Sequence, residues 1–408
     1  MRHGGVRALP WVVVGLVTVA FGVRGLLAYL HHLPEGGDTA VYQAGASALM
    51  HGHPLYDADT LPSEPAFAQL PFTYAPFATL LFVPLAFFPV QIAWGLLGMA
   101  SDLALAGVAY LVLRRVARRP SWLSPAWGAA VVFGVTQVLT PVSTTLGYGQ
   151  VNALLMTLIA VDLLVVCGRA GRLGGFGGVL IGVAAATKLT PLIFVVHLLL
   201  TGRRADAARA AGTFVGLQLL MLAIAPHDTI RFWTHTVYDS SRIGPTNWSF
   251  NQSLGSVVRR LSDSAAWSQT LAYGIGALVA VGAAVLVRRF HRRERPVHAM
   301  LVTAFLALLV SPVSWVHHWV WIVPLLALLL PEALSGNRFA QVLAPVTLLV
   351  FAQRPLHSIT PGSNGEVSLT AAAFVLSNLY VLFPIVVGLL LAHLTWRRTQ
   401  DFLLEKHL

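Results

Sequence analysis

The stretch ALPWVVVGLVTVAFGVRGLLAYL, Ala8 to Leu30, carries one charge, Arg24, and runs straight into His31-His32-Leu33-Pro34-Glu35-Gly36-Gly37-Asp38. An apolar run of this length spans a bilayer as a helix, which takes about 20 residues. It is too long for a signal peptide and has no small-residue cleavage site, so it is expected to stay in the protein. Where it leaves the membrane, two glycines set a carboxylate, Asp38, at its outer mouth, followed by Tyr42 and by Leu55-Tyr56-Asp57.

The rest of the chain extends this reading. Of 408 residues, 56% are hydrophobic and 11% charged, and the mean hydropathy is +0.71. A soluble domain has about 25% charged residues. The expected fold is an all-α polytopic membrane protein, one domain over residues 1–408. The net charge of +11 does not point to nucleic acid, because the arginines fall in short clusters between spans: Arg114, Arg115, Arg118 and Arg119; Arg169 and Arg172; Arg203, Arg204 and Arg209; Arg288 to Arg295; Arg397 and Arg398. That is the positive-inside signal, and it also attracts anionic membrane lipid. Between Arg24 and Arg114 there is no Lys or Arg, whereas Glu35, Asp38, Asp57, Asp59 and Glu64 are all acidic. Residues 31–71 are therefore expected outside, with 226–265 and 355–367, and both termini inside. Cys167 is the single cysteine, which excludes an internal disulfide and a cysteine-based metal site.

Apolar spans are predicted near 8–30, 72–113, 122–141, 147–167, 173–187, 189–201, 208–225, 266–287, 298–311, 314–330, 339–354 and 369–395, about 11–13 crossings in all. Two places strain the count. Phe72 to Leu113 is long enough for two crossings turning at Pro89, yet two would put the Arg114 cluster outside. Leu173 to Leu200 is short for two crossings, and Lys188-Leu189-Thr190-Pro191 sits in its middle. Broken helices there require a backbone buried in protein or lining a wet cavity.

With this topology the outward ends of several spans collect polar residues: Asp38 and Tyr42; Tyr74; Tyr148, Gln150 and Asn152; Lys188; Trp248, Asn251 and Gln252; Trp315, His317 and His318. Polar groups at membrane depth cost free energy unless paired or serving a wet site. Outside the cytoplasm there is no nucleotide sugar, so a transferase facing out takes its sugar from a lipid phosphate. Asp38 is then the candidate general base, Lys188 or Arg24 the phosphate holder, and Trp248 and Trp315 faces for sugar rings. Plainer readings stand beside these. Asp38 caps a helix starting near Thr39. Lys188 and Arg24 snorkel. Tyr74 and the tryptophans form an aromatic belt. The intramembrane acids Asp102 and Asp162 bond to neighbouring helices. His31, His32, His51 and His53 match no metal-ligand spacing, and no metal or other cofactor is expected.

Gly37-Asp38 with Tyr42, Pro54-Leu55-Tyr56, Phe72-Thr73-Tyr74-Ala75-Pro76-Phe77, Gly149-Gln150-Val151-Asn152, Lys188-Leu189-Thr190-Pro191, Asn251-Gln252-Ser253-Leu254 and Ser311-Pro312-Val313-Ser314-Trp315-Val316-His317-His318 resemble, in order, the blocks of family-87 glycosyltransferases. The resemblance covers roughly residues 36–330. It implies a GT-C-type membrane fold and an outward active site on the bacterial cytoplasmic membrane. It implies inverting transfer of mannose from a polyprenyl-phosphate-mannose donor to a glycolipid acceptor, with a phosphatidylinositol mannoside and an α-1,2 linkage foremost. Within it Asp38 takes the required acid's place and His317 or His318 lies near the donor, while the convergence at the outward ends makes Tyr42, Tyr74, Gln150, Asn152, Trp248, Asn251, Gln252 and Trp315 candidate substrate-binding residues. Other members of the family transfer arabinofuranose, which stays open as an alternative. A lipid or solute transporter is a further alternative, but it calls for internal repeats and charges at the midplane, and neither is seen.

Overall fold

A computed structural model of the protein describes residues 3–58, 60–62, 70–116, 118–167, 171–262, 264–352 and 371–405. The predicted outward piece 355–367 lies outside the described residues. Among the described residues the architecture is helical, with one isolated bridge between Asn251 and Trp315 as its extended pairing.

Helices α1 (His3–Leu30), α2 (Gly37–His51), α3 (Phe77–Phe82) and α4 (Val90–Arg115) form the first layer. α1 lies antiparallel along α4, so close that a Cβ on Gly25 would meet the Gly95 Cα at 2.7 Å. Lipid is as apolar as leucine, so helices in a membrane associate through this kind of close backbone packing rather than through the hydrophobic effect. The other face of α1, with Leu16, Val19 and Val23, is exposed, as a lipid-facing surface should be.

The stretch from Phe72 to Leu113 contains one crossing. α3 continues into a 3₁₀ turn at Val83–Phe87, too short to cross, and Pro89 then caps the 26-residue α4 at its start. Arg114 and Arg115 thereby fall at the opposite end of α4 from Asp38, as the charge pattern requires. Hydropathy had no means of telling a short apolar hairpin from a span, because both are equally apolar.

Helices α5 (Pro125–Thr136) and α6 (Thr140–Tyr148) are one path bent by 76°. Next come α7 (Asn152–Val161), α8 (Val179–Thr187) and α9 (Ile193–Leu200). The predicted break between the last two is present: Lys188 is extended (φ −145°, ψ 130°) and a 3₁₀ turn at Thr190–Leu192 restarts the chain. Helix α10 (Arg204–Ile224) leads out to α11 (Pro226–Thr234) and α12 (Leu254–Leu261), two short helices of the second outward segment. The chain ends with α13 (Ser268–Arg292), α14 (Pro296–Val310), α15 (Ile322–Leu334), α16 (Arg338–Phe351), α17 (Ala371–Ser377) and α18 (Leu379–Glu405).

Among the described residues, five helices are long and apolar enough to cross a membrane, six with the bent α5–α6 pair, and shorter apolar helices of 10–17 residues accompany them. The protein is a multi-pass membrane protein. Its two described outward segments dock on one another. Asp228 accepts from the Leu55 amide at 2.8 Å, Asp57 pairs with His227 at 3.0 Å, and Arg242 donates to the Ala58 carbonyl at 3.1 Å. The outward arginines are thus engaged internally: Arg260, buried in α12, donates to the carbonyls of Trp248 (2.7 Å) and Asn251 (3.1 Å) and gathers that loop around itself.

Candidate active site

The site begins at a tight turn. Gly36 stands in the left-handed region (φ 78°) and precedes α2, which starts at Gly37, two residues before the expected Thr39. Asp38 is therefore inside the first turn, where an acid faces the positive end of the helix dipole, and Gly36 occupies the cap position with no side-chain bond. A Cβ on Gly36 would meet the Trp94 Cβ at 2.7 Å. One on Gly149, also left-handed (φ 71°), would meet Thr39 Oγ1 at 2.0 Å and Trp94 Cδ1 at 2.8 Å. Two bonds close the junction: Trp94 Nε1 donates to the Leu146 carbonyl at 2.7 Å, and Thr39 Oγ1 donates to the Gly149 carbonyl at 3.3 Å. The two glycines let the start of α2 press against the turn between α6 and α7, which brings Asp38 to Gln150.

Gln150 is oriented from behind. Its Oε1 lies 2.9 Å from the Tyr42 hydroxyl and 3.0 Å from that of Tyr74, and the two hydroxyls are 2.9 Å apart. With the amide oxygen facing hydroxyl donors, its NH₂ is left to donate to the Asp38 carboxylate. The reverse orientation would set two oxygens against each other at Asp38. Burial pushes the Asp38 carboxyl up to about 6, against the opposing pull of the Gln150 bond and the Lys188 charge. A carboxyl in that range is ionised at neutral pH yet basic enough to take a proton.

Lys188, exposed by the break between α8 and α9, reaches the same point from the other side. Its Nζ lies 3.1 Å from Asn152 Oδ1, 3.1 Å from His318 Nε2 and 5.6 Å from the Tyr74 ring centroid. An ammonium only donates, so His318 Nε2 accepts and that ring is neutral, its other nitrogen donating to the Val313 carbonyl. Asn152 works in both directions, since its Nδ2 donates to the His317 carbonyl at 3.0 Å, which Thr145 Oγ1 also holds at 2.7 Å. The histidine pair is thus anchored by its backbone. Two of the three ammonium N–H groups are engaged among the described residues.

Beside these residues lies a small, partly open cleft, whose enclosed space is about 60 Å³. Asn152, Leu155, Met156 and Ile159 share one face of α7, the i, i+3, i+4, i+7 stripe of a helix. Phe194 of α9, Ala304, Ala307 and Leu308 of α14, and Trp321 form the other walls, while Lys188, Thr190, Ser314 and His318 edge the mouth. From Asn152 to Ile159 the apolar stripe descends about 10 Å at 1.5 Å per residue.

Of the residues expected from sequence, Asp38, Tyr42, Tyr74, Gln150, Asn152, Lys188, His317 and His318 converge. Arg24 lies outside this group: it pairs with Glu35 at 2.8 Å and covers the Trp94 ring at 4.9 Å. Trp248 and Trp315 make a separate edge-on pair, 6.5 Å between centroids, with Trp248 exposed. Asn251 and Gln252 are fully buried and spend their side chains on backbone: Asn251 Nδ2 on the Thr246 carbonyl (2.9 Å), its Oδ1 on the Ser314 amide (2.9 Å), and Gln252 Nε2 on the Ser377 carbonyl (2.6 Å). They stitch the second outward segment to the turn that carries the histidines, and Val316 N to Phe250 O at 3.1 Å completes the seam. Asp102 accepts from Gln137 at 3.2 Å, and Asp162 accepts from the Gly178 and Ile181 amides at 2.8 and 2.9 Å, so both acids bond to neighbouring segments. Among the described residues no three His, Cys, Asp or Glu side chains group as metal ligands. Thr39, Trp94 and Thr145 were not among the residues the sequence marked for the site, since a threonine or tryptophan in an apolar stretch carries no mark of its partner.

The glycosyltransferase family 87 pattern matches residues 72–312. Over 354 residues the chain is 32% identical to the polyprenol-phosphate-mannose-dependent alpha-(1-2)-phosphatidylinositol mannoside mannosyltransferase of Mycobacterium tuberculosis, covering 83% of this chain and 79% of that one. It is 34% identical over 325 residues to the polyprenol-phosphate-mannose-dependent alpha-(1-2)-phosphatidylinositol pentamannoside mannosyltransferase of Mycolicibacterium smegmatis, covering 78% and 75%. Among solved structures, ArnT from Cupriavidus metallidurans bound to undecaprenyl phosphate aligns with 91% of this chain and 77% of that one at 16% identity and a TM-score of 0.43. With most of its length aligned to these mannosyltransferases and the family pattern running from Phe72 to Pro312, the chain belongs to glycosyltransferase family 87.

Proposed function

We propose that the protein transfers mannose with inversion from a polyprenyl-phosphate-mannose donor to a lipid-linked mannoside, a phosphatidylinositol mannoside extended in α-1,2 linkage. The reaction takes place on the outer face of the bacterial cytoplasmic membrane, in a GT-C-type frame and without a metal or other cofactor. The observation that carries the reading is that Asp38 lies within electrostatic reach of Lys188, which lines an apolar-walled cleft. A polyprenyl chain is apolar and its headgroup anionic. The cleft offers apolar walls suited to the first, and the Lys188 ammonium, beside neutral His318, offers a cation suited to the second. The choice of mannose and of acceptor is supported by the relatives' named activities.

The chemistry is one displacement. Asp38 accepts the proton of an acceptor hydroxyl as its oxygen bonds to the sugar's C1. The C1–O bond to phosphate breaks, and its electron pair leaves on the phosphate oxygen beside Lys188. Attack and departure on opposite faces invert the anomeric centre. The phosphate charge grows as the bond breaks, so the ammonium contributes most in the transition state.

The test is transfer by full-length protein reconstituted in lipid, with radiolabelled polyprenyl-phosphate mannose and a panel of phosphatidylinositol mannosides, beside a polyprenyl-phosphate arabinose arm. Label entering glycolipid from the mannose donor, unchanged by chelator, is the expected result. Transfer only from the arabinose donor, or none from either, overturns it.

A further inference from the structure

Tyr148 ends α6 immediately before the Gly149 turn, and it is 44% exposed although the residues around it are buried. Its ring stands edge-on to His317, 5.5 Å between centroids at 89°, and His317 is in turn edge-on to His318 at 4.7 Å. His318 lines the apolar cleft, whereas His317 and Tyr148 do not. Tyr148 thus lies off the cleft lining, on an exposed side that the Asp38 charge also reaches, called the open side.

In an inverting displacement the acceptor hydroxyl must stand opposite the departing phosphate. If Lys188 holds that phosphate, the acceptor enters from the open side. The other aromatic residues near Asp38 are not available to touch it: Tyr42 is 0% and Tyr74 8% exposed, and both hydroxyls are committed to Gln150. We infer that Tyr148 forms the contact surface for the acceptor's terminal sugar, its ring packing on the sugar's C–H face and its hydroxyl meeting a sugar hydroxyl. This rests on the reading of the site proposed above, and it makes Tyr148 a specificity residue for a glycolipid acceptor with no role in holding the donor.

The test is steady-state kinetics on the reconstituted full-length protein for Tyr148→Phe and Tyr148→Leu. Each substrate, polyprenyl-phosphate mannose and a phosphatidylinositol mannoside, is varied at saturating levels of the other. Loss of an aromatic contact is expected to raise the acceptor KM about tenfold in Tyr148→Leu, with Tyr148→Phe nearer wild type. The donor KM is expected to stay within about twofold of wild type, since stacking on one ligand leaves binding of the other unchanged. A parallel rise in both KM values, or an unchanged acceptor KM, overturns the assignment. Wild-type protein that transfers no mannose overturns the functional reading itself, and if Tyr148→Leu does not fold, Tyr148→Gln, which also removes the ring at this exposed position, takes its place in the same KM split.

Discussion

Asp38→Asn is expected to remove activity and at the same time to stabilise the protein at neutral pH. Burial holds the Asp38 carboxyl at about 6 rather than its ordinary 3.8. That difference, about two pH units at 1.36 kcal/mol each, means that keeping the residue ionised in the folded state costs about 3 kcal/mol. Because the folded value is the raised one, the group favours folding fully below pH 3.8, and this contribution is lost as pH rises through about 6. Asparagine has nearly the same shape and still accepts from Gln150, but it has no charge to desolvate. The variant's advantage over wild type is therefore greatest at pH 7 and above and vanishes towards pH 4. The single cysteine offers the readout: Cys167 is buried, so a thiol-reactive fluorogenic dye reports its exposure on heating. A midpoint higher by a few degrees at pH 7, converging with wild type near pH 4, is expected, alongside a loss of roughly 10²–10⁴ in transfer rate. An Asp38→Asn midpoint below wild type at pH 7 would refute the reasoning, because it would make Asp38 an anchor of the fold whose charge is fully compensated.

Three further outcomes follow from the same contacts. The wild-type rate should fall about tenfold per pH unit below about pH 6 as Asp38 protonates, and in Gln150→Leu that limb should shift to higher pH, because the lost bond had favoured the carboxylate; pH–rate profiles of the two proteins decide it. Lys188→Met should lower kcat by about ten- to a hundredfold, the range for a charged hydrogen bond, with a smaller change in the donor KM because the ammonium acts mainly on the departing phosphate, and without restoration by arginine, whose wider fork does not fit between Asn152 and His318; steady-state kinetics with the donor varied separate the two constants. Gly149→Ala sets a Cβ 2.0 Å from Thr39 Oγ1 at a left-handed residue, so it should lower the thermal midpoint measured by Cys167 labelling as well as the transfer rate.

The charge pattern separated residues 31–71 from the arginine clusters as opposite ends of the spans, and the break at Lys188 showed as a polar tetrapeptide between two short apolar runs. The residues from Phe72 to Leu113 were ambiguous, because hydropathy counts apolar residues and does not see where the chain turns back. Asn251 and Gln252 read as substrate ligands by their polarity, yet their bonds run to Thr246, Ser314 and Ser377. Polarity at the membrane edge marks a group that must be paired without saying with what.

By itself, the order of residues determined that this chain lives in a membrane, which face carries its acids, and which polar groups have no place in lipid. Those follow from transfer free energies, which each residue carries with it. Only the tertiary structure decided that Gly36 and Gly149 close on Trp94 to set Asp38 against Gln150, that Asn152 joins Lys188 to the histidine turn, and that Tyr148 stays exposed while Tyr42 and Tyr74 are buried. Those depend on contacts between residues as far as 165 positions apart, and no local pattern encodes a partner that distant.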